Sequence, residues 1–169
     1  MRTQRDCPLD RPGGLAGPFP SGAPAIFASA AARLGASVGF VGTVGDDAFG
    51  HCVQQRLLAD GIDCSALRRV AERLTGIAFV AYASSGERSF VFSIAQSAAV
   101  QVYSEQLPAG YLDGVRYLHV MGSALSMSDE LRATIYQAAE RVHAQGGAIS
   151  LDPNLRAELM PLERIRAVC

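Results

Sequence analysis

The sequence predicts an α/β fold, a parallel sheet flanked by helices and interrupted once by an antiparallel hairpin. Short apolar runs that end at Gly or Asp alternate with segments of helical period, the order that a parallel sheet with helical crossovers produces. The helical segments are bracketed by polar or Pro-bearing starts and glycine stops. One stretch, residues 75–94, departs from this order and alternates with period two on both sides of a polar turn.

The elements follow in order. Residues 8–24 hold five of the eight prolines and four glycines, so this stretch is expected as a loop or an extended edge, because proline lacks the amide that ladders and helix interiors use. Ala25 to Leu34 is alanine-rich and apolar on most sides; it predicts a buried helix that stops at Gly35. Val38 to Gly42 reads as a short buried strand. Asp46 and Asp47 then open a helix at its positive end, Phe49, Val53 and Leu57 share one face, and Gly61 closes it.

Between Thr75 and Ile94, Ile77, Phe79 and Ala81 alternate, Ser84-Ser85-Gly86-Glu87 turns, and Phe90, Phe92 and Ile94 alternate again. This hairpin is expected to belong to a separate small sheet, with Phe79, Phe90 and Phe92 on one apolar face. Val115 to Met121 predicts another buried strand. Ser128, Asp129 and Glu130 start a helix carrying Leu131, Ile135, Ala138, Ala139 and Val142 on one face, Gly146-Gly147 end it, and Ala148 to Leu151 lead as a strand into Asp152-Pro153-Asn154.

Composition narrows the function classes. The chain of 169 residues is 49% hydrophobic, enough to fill one core, and its formal net charge of -1 leaves no basic excess for a nucleic-acid backbone or an anionic membrane. No apolar run has the length of a bilayer span, and residues 1–7 lack an apolar signal core. Cys7, Cys52, Cys64 and Cys169 form no C-x-x-C pair and no cluster with His at zinc-ligand spacing. Scattered thiols suit a reducing compartment, which points to the cytoplasm.

In open parallel sheets ligands bind beyond the carboxyl ends of the strands. The candidate loops are Gly42 to Gly50, Gly122 to Ser128 and Asp152 to Arg156, joined by Ser21-Gly22-Ala23-Pro24-Ala25 at the start of the first long helix. No G-x-x-x-x-G-K-[ST] or G-x-G-x-x-G motif is present.

Four segments in order carry a resemblance: Ser21-Gly22-Ala23-Pro24-Ala25 with the helix to Arg33-Leu34-Gly35; Gly39 to Gly50 with Asp60-Gly61-Ile62-Asp63 after it; the hairpin pair Thr75-Gly76 and Gly86 to Phe90; and Ser150 to Arg156. Together they resemble the PfkB/ribokinase family of carbohydrate kinases, especially its 2-keto-3-deoxygluconate kinase-like and fructokinase-like branches. The resemblance runs from about Gly17 to the C-terminus. It implies a ribokinase-like sheet flanked by helices, residues 75–94 inserted as a β lid, ATP-dependent phosphorylation of a sugar or sugar acid, and Mg²⁺ with the ATP. It places Gly22, Ala23 and Ile26 against the sugar, Phe90 or Phe92 as a wall of the pocket, and Arg156 toward an acidic or hydroxylated substrate. Asp152 and Asn154 fall near the phosphates or Mg²⁺. Lids of relatives pair between subunits, so a homodimer through the lid is a further expectation.

The chain also departs from the pattern. Many relatives place Asn where Ile26 stands, and keto-acid kinases often carry tyrosine and arginine just after the lid strand, where this chain reads Ser93-Ile94-Ala95-Gln96. Residues 1–10 do not resemble the family's first strand, which carries an acidic sugar contact, and the D-T-x-G-A-G-D-type segment with its anion hole and catalytic base is not among the 169 residues. The chain is therefore expected to be an incomplete ribokinase-like domain without the nucleotide-binding portion and without a catalytic residue of its own.

Each site residue also has a plainer reading. Asp46 and Asp47 read as helix-start acids rather than metal ligands, His119 as a hydrogen-bonded core histidine rather than a base, and His51 and His143 as surface residues. Small residues at Gly22-Ala23 suit any helix entry, Arg156 suits a strand-end loop, and Asp152 and Asn154 suit loop amides. Three functions follow: the sugar kinase, an inactive sugar-binding or regulatory module, and a non-functional truncation that associates through a sheet edge.

Overall fold

The computed structural model describes residues 1–4, 6–154, 161 and 163. Its first two strands, β1 (Arg2–Thr3) and β2 (Leu15–Ala16), precede the helix α1 (Ala23–Arg33), then β3 (Gly42–Gly45), α2 (Ala48–Ala59) and β4 (Leu67–Val70). The hairpin β5 (Ile77–Tyr82) and β6 (Arg88–Ser93) follows. After it come β7 (Tyr117–Met121), the one-turn helix α3 (Gly122–Leu125), α4 (Asp129–Ala144) and β8 (Ala148–Asp152).

The helix ends obey the local chemistry. The Asp47 side chain caps α2 by accepting the Gly50 amide, and the Ser128 hydroxyl caps α4 by accepting the Leu131 amide, each meeting a donor that the first turn leaves unpaired. At the other ends Gly61 (φ 77) and Gly146 (φ 86) take the left-handed conformation, and the next residues close back on the helix, Ile62 N–H to Leu57 O at 3.1 Å and Gly147 N–H to Val142 O at 2.9 Å.

The two βαβ units each bury an apolar layer. β3 and β4 pair in parallel across α2, and Ala28, Val44, Leu57, Ile62 and Leu67 form one core between them and α1. β7 and β8 pair in parallel across α4, whose Leu131 and Val142 are buried. The hydrogen-bonded order shows these as two separate ribbons, β3-β4 and β7-β8. Register settles which way their backbones point: Ala148 donates to Arg116 O, so Arg116, Leu118 and Val120 face β8 while the peptide groups of Tyr117 and His119 point away from it. α1 lies over both ribbons. Its Ala28 packs into the core with Val44, and its Phe27 ring stacks on His119 of β7.

Several expectations are corrected. The strand read as Val38 to Gly42 reaches further: Gly39 makes a single bridge to Asp63, and the continuous ladder is Gly42–Gly45, so half of the loop expected after the strand is the strand itself. The Gly122 to Ser128 loop contains α3. α1 is not buried on most sides; only Ala28 of its residues is buried, while Ile26 is 58% exposed and Phe27 41%. The helix reads as apolar because alanine dominates it, but alanine carries little surface to bury.

The hairpin is present with six paired residues on each strand, and it is not alone. β1 adds in parallel to β5 and β2 adds antiparallel to β1, so the small sheet has four strands in the order β2-β1-β5-β6. Asp6 secures the turn of the hairpin, accepting the Ser84 amide at 2.6 Å and its hydroxyl as well. Phe79 pairs with Val91, whereas Phe90 pairs with Val80 and Phe92 with Ala78. Opposed residues share a face and neighbours alternate, so Phe79 lies on the face opposite to Phe90 and Phe92, contrary to the expected grouping.

Candidate functional site

Three features bear on the candidate site, and each is built by a different local rule. The first is a closed polar junction after β3. Asp47 Oδ1 accepts the Gly50 amide at 2.8 Å and the Thr75 hydroxyl at 2.9 Å, while Oδ2 accepts the Thr75 amide at 2.7 Å. The same hydroxyl oxygen accepts the Gly45 amide at 2.9 Å. Burial acts to raise the Asp47 carboxyl, but the bonds from Thr75 and Gly50 outweigh it and hold the group below its ordinary value. A Cβ on Gly45 would stand 2.6 Å from Thr75 N and 2.7 Å from Arg73 O, so glycine is what lets the 73–75 segment lie against the strand. The Gly-Asp signature here is a structural junction, and the helix-start reading of Asp47 holds. Asp46 instead faces Arg69 at 3.8 Å.

The second feature is the start of α1. Unlike α2 and α4 it has no side-chain cap: Gly22 takes the N-cap position with φ 101, exposed, and Pro24 sits in the first turn. The amides of Ala23 and Ala25 therefore stand at a positive helix end with no side chain offered to them. Phe27, one turn on from Ala23, stacks on His119 with ring centroids 3.5 Å apart and planes 10° apart, which pins this end of α1 over β7. His119 Nδ1 lies 3.0 Å from Ser150 Oγ on β8, as a hydrogen-bonded histidine should, but Nε2 is buried without a partner among the described residues. Burial lowers the imidazole pKa, and the charge of Asp152 acts weakly the other way.

Asp152 ends β8, opposite Met121 at the end of β7. Its carboxylate accepts the Asn154 amide at 2.9 Å, and Asn154 takes φ 40, a turn that asparagine tolerates. Pro153 packs its carbonyl directly against Gly122, joining the loops after the two strands. These contacts shape the loop that follows β8. Among the described residues no group of three His, Cys, Asp or Glu side chains is gathered that could hold a metal ion.

The third feature is the aromatic pair on β6. Phe90 and Phe92, half-buried, stack with centroids 5.5 Å apart and planes 2° apart, and Arg88 lies 5.9 Å over Phe90. The structure places Gly22, Ala23 and Ile26 at the start of α1, Asp152 and Asn154 at and after the end of β8, and Phe90 and Phe92 together on the small sheet. Arg156 lies outside the described residues. Sequence reading passed over Phe27, whose ring beside His119 fixes α1; its only signal is a large aromatic in a run of alanines. It also passed over Thr75 as a hydrogen-bonding residue, and over Gln106, whose Nε2 donates to Gly42 O and Ala66 O at 2.9 Å each.

The geometry agrees with the comparisons. The pfkB family carbohydrate kinase model matches residues 18–169. The chain is 40% identical over 109 residues to a fructokinase of Escherichia coli, covering 64% of this chain and 35% of that one. It is 39% identical over 119 residues to a fructokinase of Klebsiella pneumoniae, covering 70% and 38%. Among solved structures, a candidate ribokinase II of Escherichia coli, also solved with ATP and Mg²⁺, superposes in its ATP-bound form with a TM-score of 0.87 at 36% identity, covering 98% of this chain and 52% of that one. The chain thus spans about half the length of that structure and about a third of the fructokinases. A family match over residues 18–169, on a ribokinase-like arrangement of strands and helices, shows that this chain belongs to the pfkB family of carbohydrate kinases.

Proposed function

We propose that this chain supplies the sugar-binding side of an ATP-dependent kinase for a ketose or keto-sugar acid, with fructose the first substrate to test. The observation that carries the reading is the start of α1, without a side-chain cap, held against β7 by the Phe27–His119 stack. Free amides at a positive helix end suit hydroxyl or carboxylate oxygens, and the family match says which ligand class to expect there. In this reading residues 75–94, with β1 and β2, form the lid. The stacked Phe90 and Phe92 offer a flat apolar wall to the C–H face of a sugar ring. Ile26 gives the pocket an apolar side, and Arg156 directs its fork of donors to the substrate. ATP with Mg²⁺ is the donor we assign to the whole enzyme, following the ATP- and Mg²⁺-bound relative. A homodimer joined at the lids and a cytoplasmic setting belong to the same proposal. No described helix is long and apolar enough to cross a membrane.

Titration calorimetry of this chain with D-fructose, D-ribose and 2-keto-3-deoxygluconate tests the proposal. Saturable binding of one ketose or keto acid, weakened about fivefold by Phe92→Ala through loss of roughly 1 kcal/mol of ring contact, supports it. No saturable binding by any member of the panel overturns it.

A further inference from the structure

We propose that Thr75 and Asp47 are a positioning pair that roots the small sheet on the main body and sets its angle over the strand ends. The proposal rests on the reading of that sheet as a lid, but its test reads the root itself and needs no sugar.

The hairpin β5–β6 joins the main body through residues 74–76 and 94–98, while β2 of the same sheet runs on to α1 through residues 17–22. The two legs of the hairpin are tied to each other: Ala98 N–H donates to Leu74 O at 2.8 Å, and a Cβ on Gly76 would stand 3.0 Å from Ser97 Oγ. The exit leg is braced locally, with the Ser97 hydroxyl donating to Ile94 O at 2.7 Å and its amide donating to the same oxygen at 2.8 Å. Ser97 is buried, as is Thr75, although residues 71–74 before Thr75 are exposed. A buried threonine at the end of an exposed stretch marks where the segment is gripped.

The grip has unusual directness. Thr75 offers both its amide and its hydroxyl to the two oxygens of one carboxylate, and the hydroxyl oxygen in turn takes the Gly45 amide at the end of β3. Asp47 is at the same time the N-cap of α2 through Gly50. One carboxylate therefore fixes the end of a core strand, the start of a core helix and the entry leg of the small sheet. Any swing of β5 and β6 must pivot above Thr75, in residues 76–77 and 93–95, or else break a charge-assisted pair. The groups that face Asp47 in this junction are the uncharged Thr75, Gly45 and Gly50, so the pair does not depend on a neighbouring charge.

The experiment is residue-resolved hydrogen exchange by NMR on three variants of this chain. Thr75→Val keeps shape and removes the hydroxyl, Thr75→Ser restores it, and Asp47→Asn keeps one acceptor for the α2 cap while opposing the Thr75 amide. Thr75→Val and Asp47→Asn are expected to speed exchange of the β5 and β6 amides by about tenfold, the loss of one hydrogen bond to a charged group, with the amides of α4 and of Leu118 and Val120 unchanged. Thr75→Ser is expected to match the parent. Equal acceleration in α4 and in the small sheet would show a merely global loss of stability and overturn the proposal. So would no change in the small sheet, or failure of Thr75→Ser to restore the parent behaviour. Should Thr75→Val not fold, Asp47→Asn with Thr75→Ser carries the same decision.

Discussion

Replacing Gly45 by alanine tests whether the junction is as tight as its geometry says. One effect favours alanine: a β-strand residue with a side chain loses less backbone freedom on folding than glycine, a gain of about 0.4–1 kcal/mol. Against this, the new methyl would stand 2.6 Å from Thr75 N and 2.7 Å from Arg73 O, well inside van der Waals contact, and would also overlap Asp47 Oδ2. Both neighbours named by distance are backbone atoms, so the strain cannot be relieved by a rotamer change. Overpacking of this kind costs about 1–3 kcal/mol. If the 73–75 segment retreats to make room, the Gly45 and Thr75 bonds to one another and to Asp47 lengthen, at a cost of about 1–3 kcal/mol more. The net expectation is a loss of about 3 kcal/mol. Urea unfolding followed by far-ultraviolet circular dichroism measures it as a lower midpoint at unchanged slope. A Gly45→Ala protein as stable as the parent would refute the reasoning, because it would mean that the 73–75 segment lies against β3 without needing to.

Other outcomes follow from separate parts of the molecule. Leu57, 1% exposed at the centre of the α2 core, should cost about 2–5 kcal/mol when cut to alanine, measured by the same unfolding. Asp60, bonded by Arg33 and Arg56 at 2.9 Å each, is held down to about 2 against burial that acts to raise it. A carboxylate with a depressed folded value contributes stability above its unfolded value of 3.8, lost as pH falls toward about 2. Asp60→Asn should therefore flatten the acid limb of the stability curve between those values and leave neutral pH the less stable for it. For His119, removing the stacked ring with Phe27→Ala should let water reach the imidazole and raise its pKa toward 6.5, read from the proton shift of the ring in an NMR titration. An unchanged titration would mean that the burial comes from elsewhere.

The sequence made the helices legible because their ends are written in local chemistry. Asp47 and Ser128 as caps, and Gly61 and Gly146 as stops, need no tertiary information. The strands were less legible where pairing rather than pattern defines them. β4 reads Leu-Arg-Arg-Val, with no alternation to mark it, and becomes a strand by laying residues 67–70 along β3. β1 and β2, two residues each, are too short for any period to show, and they turned an expected ribbon into a four-stranded sheet. The face of Phe79 was misjudged for a related reason: alternation says which residues of one strand agree, but the register of β5 with β6 decides which agree across the turn. At the site, the Gly22 entry was found because small residues before a helix are a local signal. Thr75, Phe27 and Gln106 were missed because each acts on residues far away in the chain, Thr75 on Asp47, Phe27 on His119 and Gln106 on Gly42.

The way β7 faces its neighbours has a consequence for how its stability would be measured. Only every second amide of the strand reaches β8, so deuterium uptake along it should rise and fall residue by residue. Leu118 and Val120 donate into the ribbon, and among the described residues no hydrogen bond is recorded to the amides of Tyr117 or His119. Tyr117 is 71% exposed. A peptide-averaged measurement over 117–121 would blend slow and fast sites into one intermediate curve and make a firmly paired strand look half unfolded. Site-resolved rates would show instead a comb, with its teeth set by backbone parity.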